Sequence, residues 1–323
     1  MTAEIWSPRD GIALQNALAH FLAQRGWATG DPRWLLSDTD ALVALAGAYA
    51  VKAFARNLGQ NEHHRLVTLD LSLTERLPVG RALSLGRLYW SVGGEIRQTR
   101  TAHQDIDLLL MRRMPDDSNL LGLSRRNAVT ESCGTAIGAL LKSFHALCPV
   151  LAPSPGQTGI EQEEQTLGED LAAFDGLERL VAKNRLERLQ SALIDRAPEA
   201  HKILSDRAKN GCRRDIHGDA HMENIWFVGE HPTLLDPMPS NRRRQADILR
   251  DIARVTLELN YLQQDGPARA FLRSVTEQTP EEESVLRYFL MRLSLGDIIA
   301  WSHRGPNNRT VFFNQAPLPW RWP

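Results

Sequence analysis

The sequence predicts an α+β chain in two lobes, a small strand-rich one followed by a larger helical one. Three observations predict it. Apolar residues make up 42% of the 323 residues, enough for a substantial core and too many for disorder. Short apolar runs of strand character fill much of the first third, and apolar residues at helical spacing dominate the rest. The change falls at Pro115, where Pro115-Asp116-Asp117-Ser118-Asn119 has the composition of a turn or linker. The expected lobes are residues 1–114 and 115–323, and their join is a common place for a ligand cleft.

The elements follow in order. Asp10 to Gly26 predicts an amphipathic helix, with Ile12, Leu14, Leu18, Phe21 and Leu22 on one side. Ala41 to Phe54 (ALVALAGAYAVKAF) predicts two strands joined by a tight turn at Gly47. Glu62 to Leu77 has helical spacing at Leu66, Leu69, Leu73 and Leu77. Arg87 to Val92 and the stronger Ile106 to Met114 (IDLLLMRRM) predict strands. From Asn127 the pattern is mostly helical, with a stripe at Ile137, Leu140, Leu141 and Phe144. Pro149 to Thr166 is rich in Pro, Gly and acidic residues and is expected to be an exposed connection. Helical stripes run from Leu171 to Ala208. Two short strands, Ile225 to Val228 and Thr233 to Leu235, come next, and helices are expected over Ile248 to Leu262 and Glu281 to Ile299.

Composition excludes several functions. The formal net charge is -1, so no global basic field recruits nucleic acid. No run of 18 or more apolar residues occurs, so no membrane span is expected. The N-terminus MTAEIWSPRDG lacks the pattern of a secretion signal. Three cysteines, Cys133, Cys148 and Cys212, without paired spacing argue against a disulfide framework or a cysteine zinc site. A reduced, cytoplasmic setting is the expectation. The sequence carries no sign of an oligomeric state.

The chemistry concentrates in DIHGDAHMENIWF, Asp215 to Phe227. Two Asp, two His, one Glu and one Asn lead directly into an apolar strand. Three readings compete. One is a polar turn with capping residues. Another is a metal site through His217 and His221, four apart; it needs a helix, and Gly218 and the strand-like Ile225-Trp226-Phe227 argue against one. The third is phosphoryl transfer. Asp219 and Asn224 are five apart on a loop, and Asp236 follows a hairpin turning at Gly229-Glu230. Phosphoryl transfer needs a carboxylate that accepts the proton of the attacking hydroxyl, and oxygen ligands that hold Mg²⁺ against the phosphates. Asn224 and Asp236 have suitable ligand atoms, which leaves Asp219 as base.

His217-Gly218-Asp219-Ala220-His221-Met222-Glu223-Asn224-Ile225 resembles the "HGDLHxxNI" catalytic loop of the aminoglycoside phosphotransferase and choline kinase-like family. Leu234-Leu235-Asp236 resembles that family's metal-binding "LID/LFD" motif. The resemblance implies a protein-kinase-like fold, ATP and Mg²⁺ as cofactors, Asp219 as catalytic base, and Asn224 and Asp236 as metal ligands. Asp251, in QADILRDIARV, matches an aspartate that supports the catalytic loop. Upstream, Gly47 to Lys52 resembles the "GDYAYK" strand of a bacterial branch, and Lys52 matches its phosphate-binding lysine. Leu110 to Met114 resembles the "VKMRRF" strand leading into the adenine hinge, which implies that Met111 and Met114 flank the nucleotide. GALLKSFHA, Gly138 to Ala146, resembles the helix ending in "FHA". The resemblance runs roughly from Leu35 to Leu262, with its strong motifs at Asp215–Asn224 and Asp236.

The departures are specific. Ser37 to Gly47 offers one glycine where a phosphate loop is often rich in them. The acidic partner of Lys52 on the following helix is Asp70 in one register and Glu62 in another. Longer members of the branch add a P-loop kinase domain; no G-x-x-x-x-G-K-[ST] occurs here, so that domain is not expected. Lys52 could also be an edge lysine reaching to water. Arg242-Arg243-Arg244 and Glu161 to Asp170 are expected to be solvated, although the first could meet an anionic substrate and the second a cationic one. The implied function is phosphorylation of a hydroxyl on a small molecule such as an antibiotic, sugar or amino alcohol. The alternative is a nucleotide-binding pseudokinase with a regulatory role. A protein-directed kinase ranks lower, because no activation segment follows Asp236. The motifs choose neither the acceptor nor between ATP and GTP.

Overall fold

A computed structural model describes residues 8–27, 33–36, 41–54, 60–91, 94–100, 102, 105–174, 177–239 and 241–304. Ser37 to Asp40, Val92 and the N-terminal Met1 to Ser7 lie outside the described residues. The chain divides into two compact units. The first holds residues 1–118 and 235–239, the second residues 119–234 and 240–323.

The first unit contains α1 (Pro8–Gln24), β1 (Arg33–Leu36), β2 (Ala41–Ala46), β3 (Tyr49–Phe54), α2 (Gln60–Thr74), α3 (Pro78–Leu83), β4 (Ser84–Trp90), β5 (Ile96–Arg97) and β6 (Ile106–Arg112). The strands form one antiparallel sheet in the order β1-β2-β3-β6-β4-β5. The β2–β3 hairpin turns at Gly47, whose φ of 55° suits a residue without Cβ. Strand alternation then divides the side chains between two faces. Val51, Ala53, Leu108 and Leu110 join Leu14, Leu18, Phe21 and Leu22 of α1 in one core. Lys52, between Val51 and Ala53, reaches α2 instead. Ile12 departs from the expected stripe and is exposed. It precedes Leu14 by two residues, roughly 200° around a helix, which turns it away from the sheet.

The second unit contains α4 (Leu120–Arg125), α5 (Glu131–Leu147), α6 (Glu161–Ala172), α7 (Lys183–Lys209), β7 (Arg213–Asp215), β8 (Ile225–Val228), β9 (His231–Leu234), α8 (Asn241–Arg244), β10 (Gln245–Asp247), α9 (Leu249–Tyr261), α10 (Asp265–Val275) and α11 (Pro280–Arg304). Thr130 caps α5 by accepting from Cys133 N at 3.3 Å. The stripe Ile137, Leu140, Leu141 and Phe144 is buried. Gly134 and Gly138 of α5 let α10 approach closely: a Cβ on Gly134 would lie 2.2 Å from the Pro267 carbonyl oxygen. β7 pairs with β10, and β8 with β9, each antiparallel.

Two expectations are corrected in this unit. Glu161 to Asp170 is helix α6, not a solvated loop, and Glu163 is largely buried. It pairs with Arg250 at 3.3 Å and Arg292 at 3.7 Å, while Asp170 pairs with Arg292 at 2.9 Å. The arginine run is not uniformly solvated either. Arg244 is buried against Asp215, with Nη2 2.9 Å from Oδ1. In both cases a charge that composition assigns to solvent finds an opposite charge inside.

Candidate functional site

The predicted site residues fall in both units. In the first, Lys52 stands on β3 opposite Val43 and Leu109. It is 9% exposed. Nζ donates to Asp70 Oδ2 at 2.9 Å and to Asp236 Oδ1 at 2.7 Å. Burial alone would lower the pKa of this amine, but the carboxylates of Asp236 and Asp70 outweigh it and hold the amine charged. Asp70 is raised above the ordinary carboxylate range, by burial first and by Asp236 next, with Lys52 opposing. Thr74 Oγ1 donates to Asp70 Oδ1 at 3.3 Å. The acidic partner on α2 is therefore Asp70. Glu62 is taken by Arg65, three residues along α2, whose Nε lies 2.7 Å from Oε2, and this bond lowers the Glu62 pKa.

Asp236 lies two residues past the end of β9 and has a φ of 56°. Left-handed backbone is uncommon for a residue with a side chain and marks a position held for a reason. Met111 and Met114 are buried, at the end of β6 and just after it.

In the second unit, β7 leads into the loop Ile216–Asn224. The loop is pinned from below by Asp251 of α9, which is 1% exposed. Asp251 Oδ2 accepts from His217 N at 3.0 Å, and Oδ1 accepts from Gly218 N at 2.9 Å. His145 Nε2 lies 3.0 Å from Oδ2. Burial raises the Asp251 pKa, but the contact with His145, the nearby His217 and the Gly218 amide outweigh it, and the group ends below its ordinary value. Gly218 has a φ of 77°, which its lack of Cβ allows.

Within the loop, Asp219 N donates to His217 Nδ1 at 3.3 Å. The Asp219 carbonyl accepts from His221 N at 2.8 Å and from Asn224 Nδ2 at 3.0 Å. His221 Nε2 lies 3.7 Å from Asp219 Oδ2. Asp219 and Asn224 are thus locked into one turn, with the Asp219 carboxylate partly exposed. Arg254, close enough to feel the Asp219 charge, pairs with Asp297 at 2.8 Å and Glu258 at 3.3 Å. Burial would lower the Arg254 pKa, but Asp297 and Glu258 raise it, with a smaller contribution from Asp219. Sequence pattern assigns no role to His145, Arg254 or the Arg244–Asp215 pair. For His145 the signal was present, in the F-H-A triplet.

Asn224 and Asp236 offer amide and carboxylate oxygens, which suit a hard cation. Lys52 offers a buried ammonium, which suits a phosphate. His217 is committed inside the loop through Nδ1.

No family model matches the chain. In sequence it is 23% identical over 231 residues to uncharacterized protein Rv2004c of Mycobacterium tuberculosis and, equally, to uncharacterized protein Mb2027c of Mycobacterium bovis. The match takes in 69% of this chain and 45% of each relative, so the chain spans about half the length of the curated relatives it matches. In structure it is similar to a choline/ethanolamine kinase family protein from Mesorhizobium loti, with a TM-score of 0.50 and 12% identity over 92% of this chain and 90% of that one. It is also similar to the AMP-bound complex of spectinomycin phosphotransferase, with a TM-score of 0.51 and 11% identity over 92% and 90%. Among the described residues no helix is long and apolar enough to cross a membrane. The chain has the two-lobed α+β, protein-kinase-like fold of that choline/ethanolamine kinase family protein and of spectinomycin phosphotransferase.

Proposed function

We propose that the chain is an ATP-dependent phosphotransferase acting on a hydroxyl of a small molecule. The observation that carries this reading is the buried Lys52 amine held between Asp70 and Asp236. A lysine fixed in this way is arranged to meet phosphate oxygens, and its partners come from α2 and from the motif that the sequence reads as metal-binding.

In this reading residues 1–114 form the nucleotide-binding lobe and residues 115–323 the catalytic and substrate-binding lobe. Met111 and Met114 flank the adenine. Lys52 binds the nucleotide phosphates, and Asp70 fixes its position. Asp219 accepts the proton of the acceptor hydroxyl as the new O–P bond forms and the bond to the departing ADP breaks. Asp251 acts at one remove, holding the backbone of His217 and Gly218 and so the direction of Asp219. Asn224 and Asp236 would hold Mg²⁺, which neutralises phosphate charge when bound. The acceptor class includes antibiotics, sugars and amino alcohols, and the setting is a reduced cytoplasm.

The test is a nucleotide-consumption screen against hydroxylated metabolites and antibiotics, run beside Asp219→Asn. Acceptor-dependent ADP release that the variant loses supports the proposal. Nucleotide binding without turnover for any acceptor would favour the pseudokinase reading.

A further inference from the structure

The second unit contains a small pocket open to solvent, with room beside its side chains for a single chemical group rather than a whole metabolite. Its lining includes Gln162, Glu163, Arg213, Arg242, Gln245 and Asp247. The two carboxylates are already committed. Asp247 accepts from Arg207 Nε at 2.8 Å and Nη2 at 3.0 Å, and from Leu249 N at 2.9 Å. Glu163 pairs with Arg250 and Arg292 and accepts from Tyr288 Oη at 3.2 Å.

The donors are not committed to the same degree. The partly buried guanidinium of Arg213 has no side-chain partner among the described residues, and neither does the Gln245 amide. Among the described residues Arg242 pairs only with exposed Glu169, at 2.9 Å, and such surface pairs are weak and readily exchanged. The Gln162 amide is held against the Arg242 backbone carbonyl. The cavity therefore presents cationic and amide donors in excess over acceptors.

We propose that this cavity binds a small molecule through an oxyanion, a phosphoryl or carboxylate group. Arg213 and Arg242 grip the oxygens with their forked N–H donors, and Gln245 donates a further hydrogen bond. Arg213 is the first residue of β7, and the loop bearing Asp219 follows the last, so the site lies at the opposite end of that strand from the loop. The site does not depend on the kinase reading and takes a different ligand group from the acceptor hydroxyl.

The experiment is calorimetric titration of the full chain with inorganic phosphate and, separately, with acetate, at ionic strength fixed with chloride. At least one ion is expected to bind with a dissociation constant on the order of 1 mM or tighter. Arg213→Met should weaken that binding by about tenfold or more, one bidentate contact's worth. Arg242→Met should weaken it as well, and serves alone if the first variant does not fold. The double variant Lys52→Met/Asp70→Asn, which removes both charges of that buried pair, should leave it unchanged, which separates this site from any phosphate site at Lys52. Tighter phosphate identifies a phosphoryl ligand, and tighter acetate a carboxylate. Binding of neither ion, or binding that Lys52→Met/Asp70→Asn removes and the arginine variants retain, overturns the proposal.

Discussion

Lys52 Nζ lies 2.7 Å from Asp236 Oδ1, a contact across 184 residues of chain. The same amine lies 2.9 Å from Asp70, which is 2% exposed. One cation thus serves a half-exposed carboxylate next to the hairpin and a buried one on α2.

Removing that cation should cost stability as well as turnover. Lys52→Met leaves Asp70 as a buried carboxylate without its ion-pair partner, a loss of roughly 3–5 kcal/mol. The double variant Lys52→Met/Asp70→Asn removes both charges and should recover much of it. Denaturant unfolding of the two variants checks this, and a single variant as stable as the wild type would show that the pair is not structural. Turnover should be lost in both.

Asp236→Ala should weaken the binding of Mg²⁺-nucleotide itself, because it removes a charged oxygen ligand. Calorimetric titration with Mg²⁺-ATP measures the effect. Unchanged affinity would remove Asp236 from the metal site.

Asp219→Asn should leave the fold and nucleotide affinity near wild type, since its loop is held by backbone contacts and by Asp251. Turnover should fall by ~10²–10⁴-fold, the usual loss for a positioned base. A variant with near wild-type turnover would take Asp219 out of the mechanism.

Asp251→Asn should destabilise the chain by about 3 kcal/mol near neutral pH, because two loop amides and His145 lose a charged acceptor. The folded-state pKa of Asp251 lies below its ordinary value of 3.8. Its contribution is therefore full above that value and is lost as pH falls through the folded pKa. Unfolding curves of wild type and variant should differ most at neutral pH and converge in acid. A gap that stays constant down to pH ~2 would assign the effect to packing.

Two helical glycines should respond to Ala in opposite directions. Nothing lies within 4 Å of a Cβ on exposed Gly168 of α6, so Gly168→Ala should gain up to ~1 kcal/mol of helix propensity. Gly134→Ala places a methyl 2.2 Å from the Pro267 carbonyl oxygen, and backbone must move. That strain, roughly 1–3 kcal/mol, exceeds the propensity gain. Thermal melting of the two variants gives the sign of each.

Whatever rests on local pattern is legible in the order of the residues alone. The α5 stripe, the β2–β3 hairpin at Gly47 and the β8–β9 hairpin were all legible, because helix and strand periods and turn glycines act over a few residues. The chemistry-bearing loop from His217 to Asn224 was legible for the same reason, since its hydrogen bonds run largely between neighbours. Ile12 was misplaced, although its angle around the helix already pointed it outward. Tertiary structure alone chose Asp70 over Glu62: both are acidic residues of α2, but Glu62 has Arg65 within its own turn, while Asp70 lies where β3 brings Lys52. It alone buried Glu163 and Arg244, because a charge enters a core only where an opposite charge, distant in sequence, waits for it.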